Sequence, residues 1–229
     1  MPRREGPVAL VTGANRGIGA ALLSRLAARG AVIGTARPPL PAEGPAHWLP
    51  LDVTRPEGFE ALERALDGQP VRLVVCNAGI YPDRGENLAD GFPQRMWEET
   101  FATNVTGVFR TVQALLPSLQ AAVAAGETAK VAVIASQLGS SAQAGGGSYV
   151  YRASKAAAVN LAGNLAVDLA GLGIAVGAYH PGWVRTDMGG PAAAISAEEA
   201  ADGLIARFDE LTPETAGRFL TWDGRAQPF

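Results

Sequence analysis

The sequence predicts an α/β fold: one doubly wound domain built on a parallel sheet. Three observations lead there. Short β-branched runs alternate with longer alanine-rich segments along the chain. The strand-like runs are hydrophobic at consecutive rather than alternate positions, so both faces of the sheet must be covered. The first run passes through a glycine-bearing turn into a helix-like segment, "VALVTGANRGIGAALLSRLAARG".

Taken in order, the candidate strands are "VALVTG" from Val8, "AVIGTAR" from Ala31, "HWLPLDV" from His47 and "RLVVCNAG" from Arg72. They continue with "KVAVIAS" from Lys130, "GIAVGAYHPG" from Gly173 and "RFLTW" from Arg218. Helix-like stretches occupy 17–29, 57–67, 94–125, 151–170 and 197–208. Between the second and third strands stands "PPLPAEGPA", with four prolines in nine residues. Proline removes a donor and clashes with the preceding turn, so no regular helix forms there. Parallel pairing still needs a crossover, which must be short and irregular. No linker, repeat or composition shift divides the chain, so a single domain over 1–229 is expected.

The totals exclude several classes. With 48% hydrophobic and 18% charged residues among 229, the chain has a core and is neither fibrous nor disordered. Net charge is −3 and no Lys/Arg block exceeds the pair Arg3 and Arg4, which argues against a nucleic-acid partner. The single Cys76, in the apolar run "RLVVCNAG", cannot form an internal disulfide and fits a buried strand in a reducing compartment. His47 and His180 lie far apart, so no metal site is expected. No apolar run is long enough for a membrane span or a signal-peptide core, and a cytoplasmic location follows as the expectation.

Two stretches carry chemistry. In the first turn, Gly13-x-x-x-Gly17-x-Gly19 lets backbone approach a pyrophosphate, with N–H groups of a helix N-terminus aimed at it. The pattern is neither G-x-G-x-x-G nor the Walker motif. In "SYVYRASKAAAVN", an alanine run without proline starts a helix near Tyr151. Tyr151 and Lys155 then lie one turn apart on one face, with Tyr149 upstream and out of register. A free phenol titrates near pH ~10 and is a poor acid or base at neutrality. A fixed ammonium beside it favours the phenolate.

With "TGANRGIG" (Thr12 to Gly19), Asn77-Ala78-Gly79 and Tyr151-x-x-x-Lys155 in order, the whole chain resembles the short-chain dehydrogenase/reductase family. Within it, "YRASKAAAVN", "HPGWVRTDMGG" and the final "RFLTWDG" resemble the C-factor and Sniffer-like carbonyl reductases. The resemblance implies a Rossmann-type fold and assigns roles residue by residue. Gly13, Asn15, Arg16, Gly17, Ile18 and Gly19 would form the phosphate turn; Asp52 and Val53 would hold the adenine. Asn77, Ala78 and Gly79 would line the ribose and support the sheet. Pro181, Gly182, Val184 and Thr186 would run along the nicotinamide, Val184 through its backbone. Of the catalytic set, Ser136 would orient a carbonyl, Tyr151 would pass it a proton, and Lys155 would lower the Tyr151 pKa and bind the ribose. Asn104 would hold a water leading to solvent. Ser140, Ser141 and Ser148 read as turn residues.

Cofactor choice rests on the end of the second strand. An acid there would repel a 2′-phosphate, but "GTAR" offers Thr35 and Arg37, with Arg16 a second cation, so NADP(H) is favoured over NAD(H). The expected activity is NADPH-dependent reduction of ketones or aldehydes. The alternative is a C-factor-type signalling protein that binds the dinucleotide and in which turnover is secondary. Between Asp187 and Ser196 only "MGGPAAAI" is available to cover a substrate, an irregular, mobile loop. Trp183, Met188 and Tyr81 would add apolar wall, giving an open pocket for small-molecule carbonyls. Finally, the outer side of 151–170 carries Ala156, Asn160, Gly163, Asn164 and Val167, and 106–126 has only Arg110 charged. Such uncharged faces predict a homodimer or homotetramer.

Overall fold

Seven parallel strands form one sheet in the order β3-β2-β1-β4-β5-β6-β7. They are β1 (Val8–Thr12), β2 (Val32–Ala36), β3 (His47–Pro50), β4 (Val71–Cys76), β5 (Ala129–Ile134), β6 (Ile174–His180) and β7 (Phe219–Thr221). The computed structural model describes residues 6–41, 44 and 46–229. Arg3, Arg4 and part of the proline-rich crossover lie outside the described residues. The described part of that crossover contains no helix, yet β2 and β3 pair in parallel, as the prolines require.

Six α-helices are described: α1 (Gly17–Ala27), α2 (Pro56–Leu66), α3 (Gln94–Phe101), α4 (Gly107–Ala124), α5 (Tyr149–Ala170) and α6 (Ala197–Asp209). They cover both faces, which is why the strands carry no polar alternation. On one side Leu62, Leu115, Leu119 and Leu165, from α2, α4 and α5, bury against Leu10, Val74, Val131 and Val176. On the other, α1 and α6 bring Leu22, Leu26, Leu204 and Phe208 onto Val11, Val75, Ile134 and Tyr179. Each such side chain contributes about 1.5–3 kcal/mol on burial. Cys76 is buried at the end of β4, and burial pushes its thiol up to about 12, so it is a packing residue.

Two helix expectations are corrected. The stretch 94–125 is not one helix: a π-helical segment, Ala102–Thr106, separates α3 from α4 and turns Asn104 inward. The helix α5 begins at Tyr149, two residues before the expected start. Tyr149 therefore shares the helix with Tyr151 but points elsewhere: it is 40% exposed, against 6% for Tyr151. The outer side of α5 is bare of intrachain cover, with Asn160, Asn164 and Val167 exposed, as is Phe109 on α4. Among the described residues no helix is long and apolar enough to cross a membrane, and no group of histidine, cysteine or acidic residues could hold a metal.

The chain runs outward from β1 to β3 and then returns to β4 on the other side. That reversal leaves a crevice at the carboxyl ends of β1 and β4, where ligands of open α/β sheets bind.

Candidate active site

A cleft of about 1120 Å³ opens along this edge, at the upper end of ordinary small-molecule sites. Its first wall is the β1–α1 turn, contributing Gly13, Asn15, Arg16, Gly17, Ile18 and Gly19. Gly13 has φ +62°, and a Cβ on Gly19 would stand 2.3 Å from the Gly13 carbonyl oxygen. Any side chain there would unfold the turn. The N-terminus of α1 has no side-chain cap and no acid in its first turn, so its amides are left for a ligand. This wall fits a pyrophosphate.

Further along lie Arg37, Asp52 and Val53. Arg37 is exposed at the end of β2. Asp52 accepts from the Thr54 amide at 3.0 Å and the Thr54 hydroxyl at 2.7 Å, so one carboxylate oxygen shapes the turn before α2. Burial pushes its carboxyl upward, but those bonds and the charges of Arg37 and Arg55 hold it below the usual range. Arg16 meets Asp187 at 3.0 Å across the mouth, both largely exposed. An anion would have to compete with that carboxylate for the guanidinium, a weak rival at such exposure.

Asn77 has the sheet-supporting position expected of it. Its side chain donates to the carbonyls of Thr12 and Gly13 at 2.9 and 3.0 Å, while Thr12 Oγ1 accepts from the amides of Asn77 and Ala78. Thr12, not singled out from sequence, is thus the pin between β1 and β4. Ala78 and Gly79 line the cleft.

At the far end the catalytic candidates converge. Ser136 follows β5 and is held in extended backbone; its Oγ accepts from the Leu138 amide at 3.2 Å. From there its hydroxyl favours ionisation of the Tyr151 phenol. Lys155 is buried, donates to the Ile134 carbonyl at 2.8 Å and stands 5.8 Å from the Tyr151 ring centroid. The expected lowering of the phenol pKa does not hold for this arrangement. Burial pushes Tyr151 up to about 12, against the pull of the Ser136 hydroxyl and helped by Tyr81 and Asp83. The ammonium is turned to the Ile134 carbonyl, and its own burial pushes Lys155 down to about 8.

Asn104 lies fully buried in the π segment. Its Oδ1 accepts from the Ile80 amide, and its Nδ2 donates to the Ile80 carbonyl and Ser154 Oγ, each at 2.9 Å. The amide is therefore occupied by structural bonds, leaving one lone pair. A Cβ on Gly79 would lie 3.2 Å from that Oδ1 and 3.4 Å from Lys155 Nζ, so the missing side chain keeps open a gap between the two.

The remaining expectations divide. Pro181, Thr186 and Met188 line the cleft. Val184 is buried beside Ile195; the bridge bonds go through Trp183 and Arg185, leaving Val184's own peptide groups facing away from that bridge. Gly182 is partly buried beside Ile195 and Trp222. Trp183 is half exposed, with its indole donating to the Gly189 carbonyl. The loop 187–196 is irregular, as its glycines and proline imply, and Arg84 reaches across to the Met188 carbonyl at 2.9 Å. Tyr81 is no free pocket wall: it stacks on Tyr151 at 4.0 Å between centroids and bonds Ser148 Oγ at 2.6 Å. Ser148 is thus the junction into α5, and Ser140 is buried; only Ser141 remains an exposed turn residue.

A family model described as short chain dehydrogenase matches residues 7–195. The chain belongs to the short-chain dehydrogenase family. Its relatives include C-signal of Myxococcus xanthus, 39% identical over 165 residues, covering 70% of this chain and 93% of that protein. Among solved structures, carbonyl reductase Sniffer of D. melanogaster superposes with TM-score 0.89 at 26% identity, covering 99% of this chain and 100% of that one. The NADPH-bound carbonyl reductase from chicken fatty liver gives 0.90 at 29% identity, with 98% and 94% covered. The chain is an oxidoreductase of this family, and carbonyl reductases are among its structural neighbours.

Proposed function

We propose that the protein reduces ketones and aldehydes to alcohols with NADPH, and runs in reverse as an alcohol dehydrogenase. The observation that carries this is the meeting of Tyr151 and Lys155, with Ser136 next to the lining residue Ala135, at one end of a cleft whose other end is a bare helix N-terminus. When bound, the cofactor supplies the hydride. Gly17, Ile18 and Gly19 would present amides to its pyrophosphate, and Asp52, Val53, Asn77, Ala78 and Gly79, which line the same cleft, would flank its adenosine half. Lys155, with two ammonium protons free beyond the Ile134 bond, binds ribose hydroxyls. Pro181 and Thr186, which line the cleft, would border the nicotinamide, with Gly182 and Val184 behind them.

Ser136 holds the substrate oxygen beside Tyr151, whose phenol gives up its proton as alkoxide charge develops. The proton is restored through Lys155 and a water in the gap beside Asn104. The raised phenol pKa keeps the acid form present at neutrality, which suits reduction. NADPH is favoured over NADH because the residue that follows β2 is Arg37 rather than an acid, and Arg16 stands at the same mouth; the chicken carbonyl reductase is NADPH-bound. The apolar Met188 and Trp183 near the opening support broad use of hydrophobic or aromatic carbonyls over charged keto acids. The bare faces of α4 and α5 support a homo-oligomer.

Following NADPH absorbance with aromatic aldehydes, α-diketones, cyclic ketones and keto acids tests this, with alcohol formed one-for-one as the expected result. The likeness to C-signal favours a second reading, a dinucleotide-binding signalling protein in which turnover is secondary. That reading predicts tight NADPH binding with no carbonyl consumed across the panel.

A further inference from the structure

The short segment after β4 does more than line the cleft. Within seven residues it bonds to three separate parts of the site. Asn77 pins β1, Ile80 exchanges two bonds with Asn104, and Tyr81 and Asp83 reach the start of α5. Asp83 is fully buried, and its Oδ2 accepts from the amides of Val150 and Tyr151 at 2.8 and 3.2 Å. Those are first-turn amides that a helix leaves without partners.

The local cap residue cannot serve them. Ser148 sits in the left-handed region at φ +46°, an uncommon conformation for serine, and its side chain makes no cap bond. Its hydroxyl is held instead by Tyr81, whose ring lies nearly parallel to that of Tyr151, 16° between planes. A carboxylate 67 residues upstream of Val150 therefore closes the helix that carries the phenol. Its second oxygen, Oδ1, is buried with no partner among the described residues. A buried polar atom left so is costly and calls for a reason beyond capping, since an asparagine or serine could cap.

We propose that Asp83 is a positioning residue for Tyr151: its carboxylate, acting with the Tyr81 stack and the Tyr81–Ser148 bond, fixes the phenol against Ser136 and lays a negative charge behind it. This rests on Tyr151 being the acid. The charge has a second effect. The groups facing the phenol are Tyr81 and Asp83 from this segment, Lys155 from α5 and the Ser136 hydroxyl after β5; α3 adds Glu98 and Glu99 to the same cleft, both exposed. Of these, Asp83 and Tyr81 oppose the phenolate. Asp83 thereby biases the site toward the protonated acid, which carbonyl reduction needs.

The test compares Asp83→Ala and Asp83→Asn with Tyr151→Phe in the full-length protein, using NADPH and an aromatic ketone, and NADP⁺ with the matching alcohol. Asp83→Ala should lower kcat by roughly tenfold or more, because a misplaced donor loses its alignment, with KM for NADPH changed less than about twofold. Asp83→Asn retains one capping oxygen and should restore most of kcat. Its rising limb in alcohol oxidation should move to lower pH, because a charge opposing the phenolate is gone. A merely structural cap would leave that limb where it is. Wild-type kcat in Asp83→Ala, or a superimposable pH profile in Asp83→Asn, overturns the proposal; should the alanine variant not fold, the asparagine profile alone decides. Tyr151→Phe separates the failures. Retained turnover there refutes the acid assignment and the positioning role together. A dead Tyr151→Phe beside an unaffected Asp83→Ala refutes only the latter.

Discussion

Two helices begin at the same edge of the sheet, and their N-termini are treated in opposite ways. Neither α1 nor α5 has a capping side chain of its own or an acid in its first turn. At α1 nothing else arrives among the described residues: Arg16 stands at the cap position, and the amides face the cleft. At α5 a buried carboxylate comes from the far side of the chain to take two amides. The macrodipole makes both ends attractive to anions. One is kept free for a ligand's charge, the other is filled by the protein so that a side chain can be held still. The difference separates binding from aim.

Removing the aimed group should have the largest effect. Tyr151→Phe is expected to cut carbonyl turnover by about 10²–10⁴-fold, the usual worth of a placed acid. NADPH affinity, read by fluorescence titration, should change by less than about tenfold, the worth of a single hydrogen bond. Tyr149→Phe, on an exposed part of the same turn, should stay within about twofold.

Charge at the free end comes next. Arg37→Asp should shift the ratio of kcat/KM for NADPH over NADH toward NADH by roughly 30-fold, as one charge-assisted phosphate contact becomes a repulsion. An unchanged ratio would remove Arg37 from the 2′-phosphate site. Filling the free end is the sharper break: Arg16→Asp installs a cap on α1. Thermal unfolding of the apo protein should show a gain of about 0.5–2 kcal/mol. NADPH affinity should fall roughly tenfold or more, because the amides and the field are then occupied and the Arg16 cation is gone from the mouth. Stability and affinity moving in the same direction would contradict the comparison.

The smallest effect is a pH dependence. Lys155 is pushed down to about 8 by burial, so its charge is complete well below that pH and lost above it. kcat/KM for NADPH in the reducing direction, which reports the free enzyme, should be flat below neutrality and reach about half its plateau near that value. A profile flat to pH ~10, the ordinary lysine range, would mean Lys155 is not felt.

What was legible in the sequence was local or periodic. The consecutive apolar runs gave the sheet, the prolines the irregular crossover, and the glycine spacing the turn in which a Cβ on Gly13 or Gly19 would clash. Ser136 could be picked out from its neighbours because it closes the strand-like run "KVAVIAS", two residues past the end of β5. The support of the phenol was not legible. Asp83 stands in "YPDRG", where a turn is the natural reading, and its partners are amides that carry no sequence signal. The π segment around Asn104 has no proline or glycine to announce it inside the segment; the buried amide's three bonds to Ile80 and Ser154 impose it through tertiary contact. Tyr81 looked like pocket wall because an aromatic ring after β4 says nothing of the ring it stacks on.

The most direct measurement of the central claim follows an isotope. The protein is mixed with an aromatic ketone and NADPH carrying deuterium at both nicotinamide C4 positions, and the product is examined by NMR. One deuterium at the carbinol carbon of every alcohol formed, and none formed with Tyr151→Phe, is the predicted result. NADPH bound but unconsumed across the carbonyl panel, or equal product from Tyr151→Phe, would contradict it.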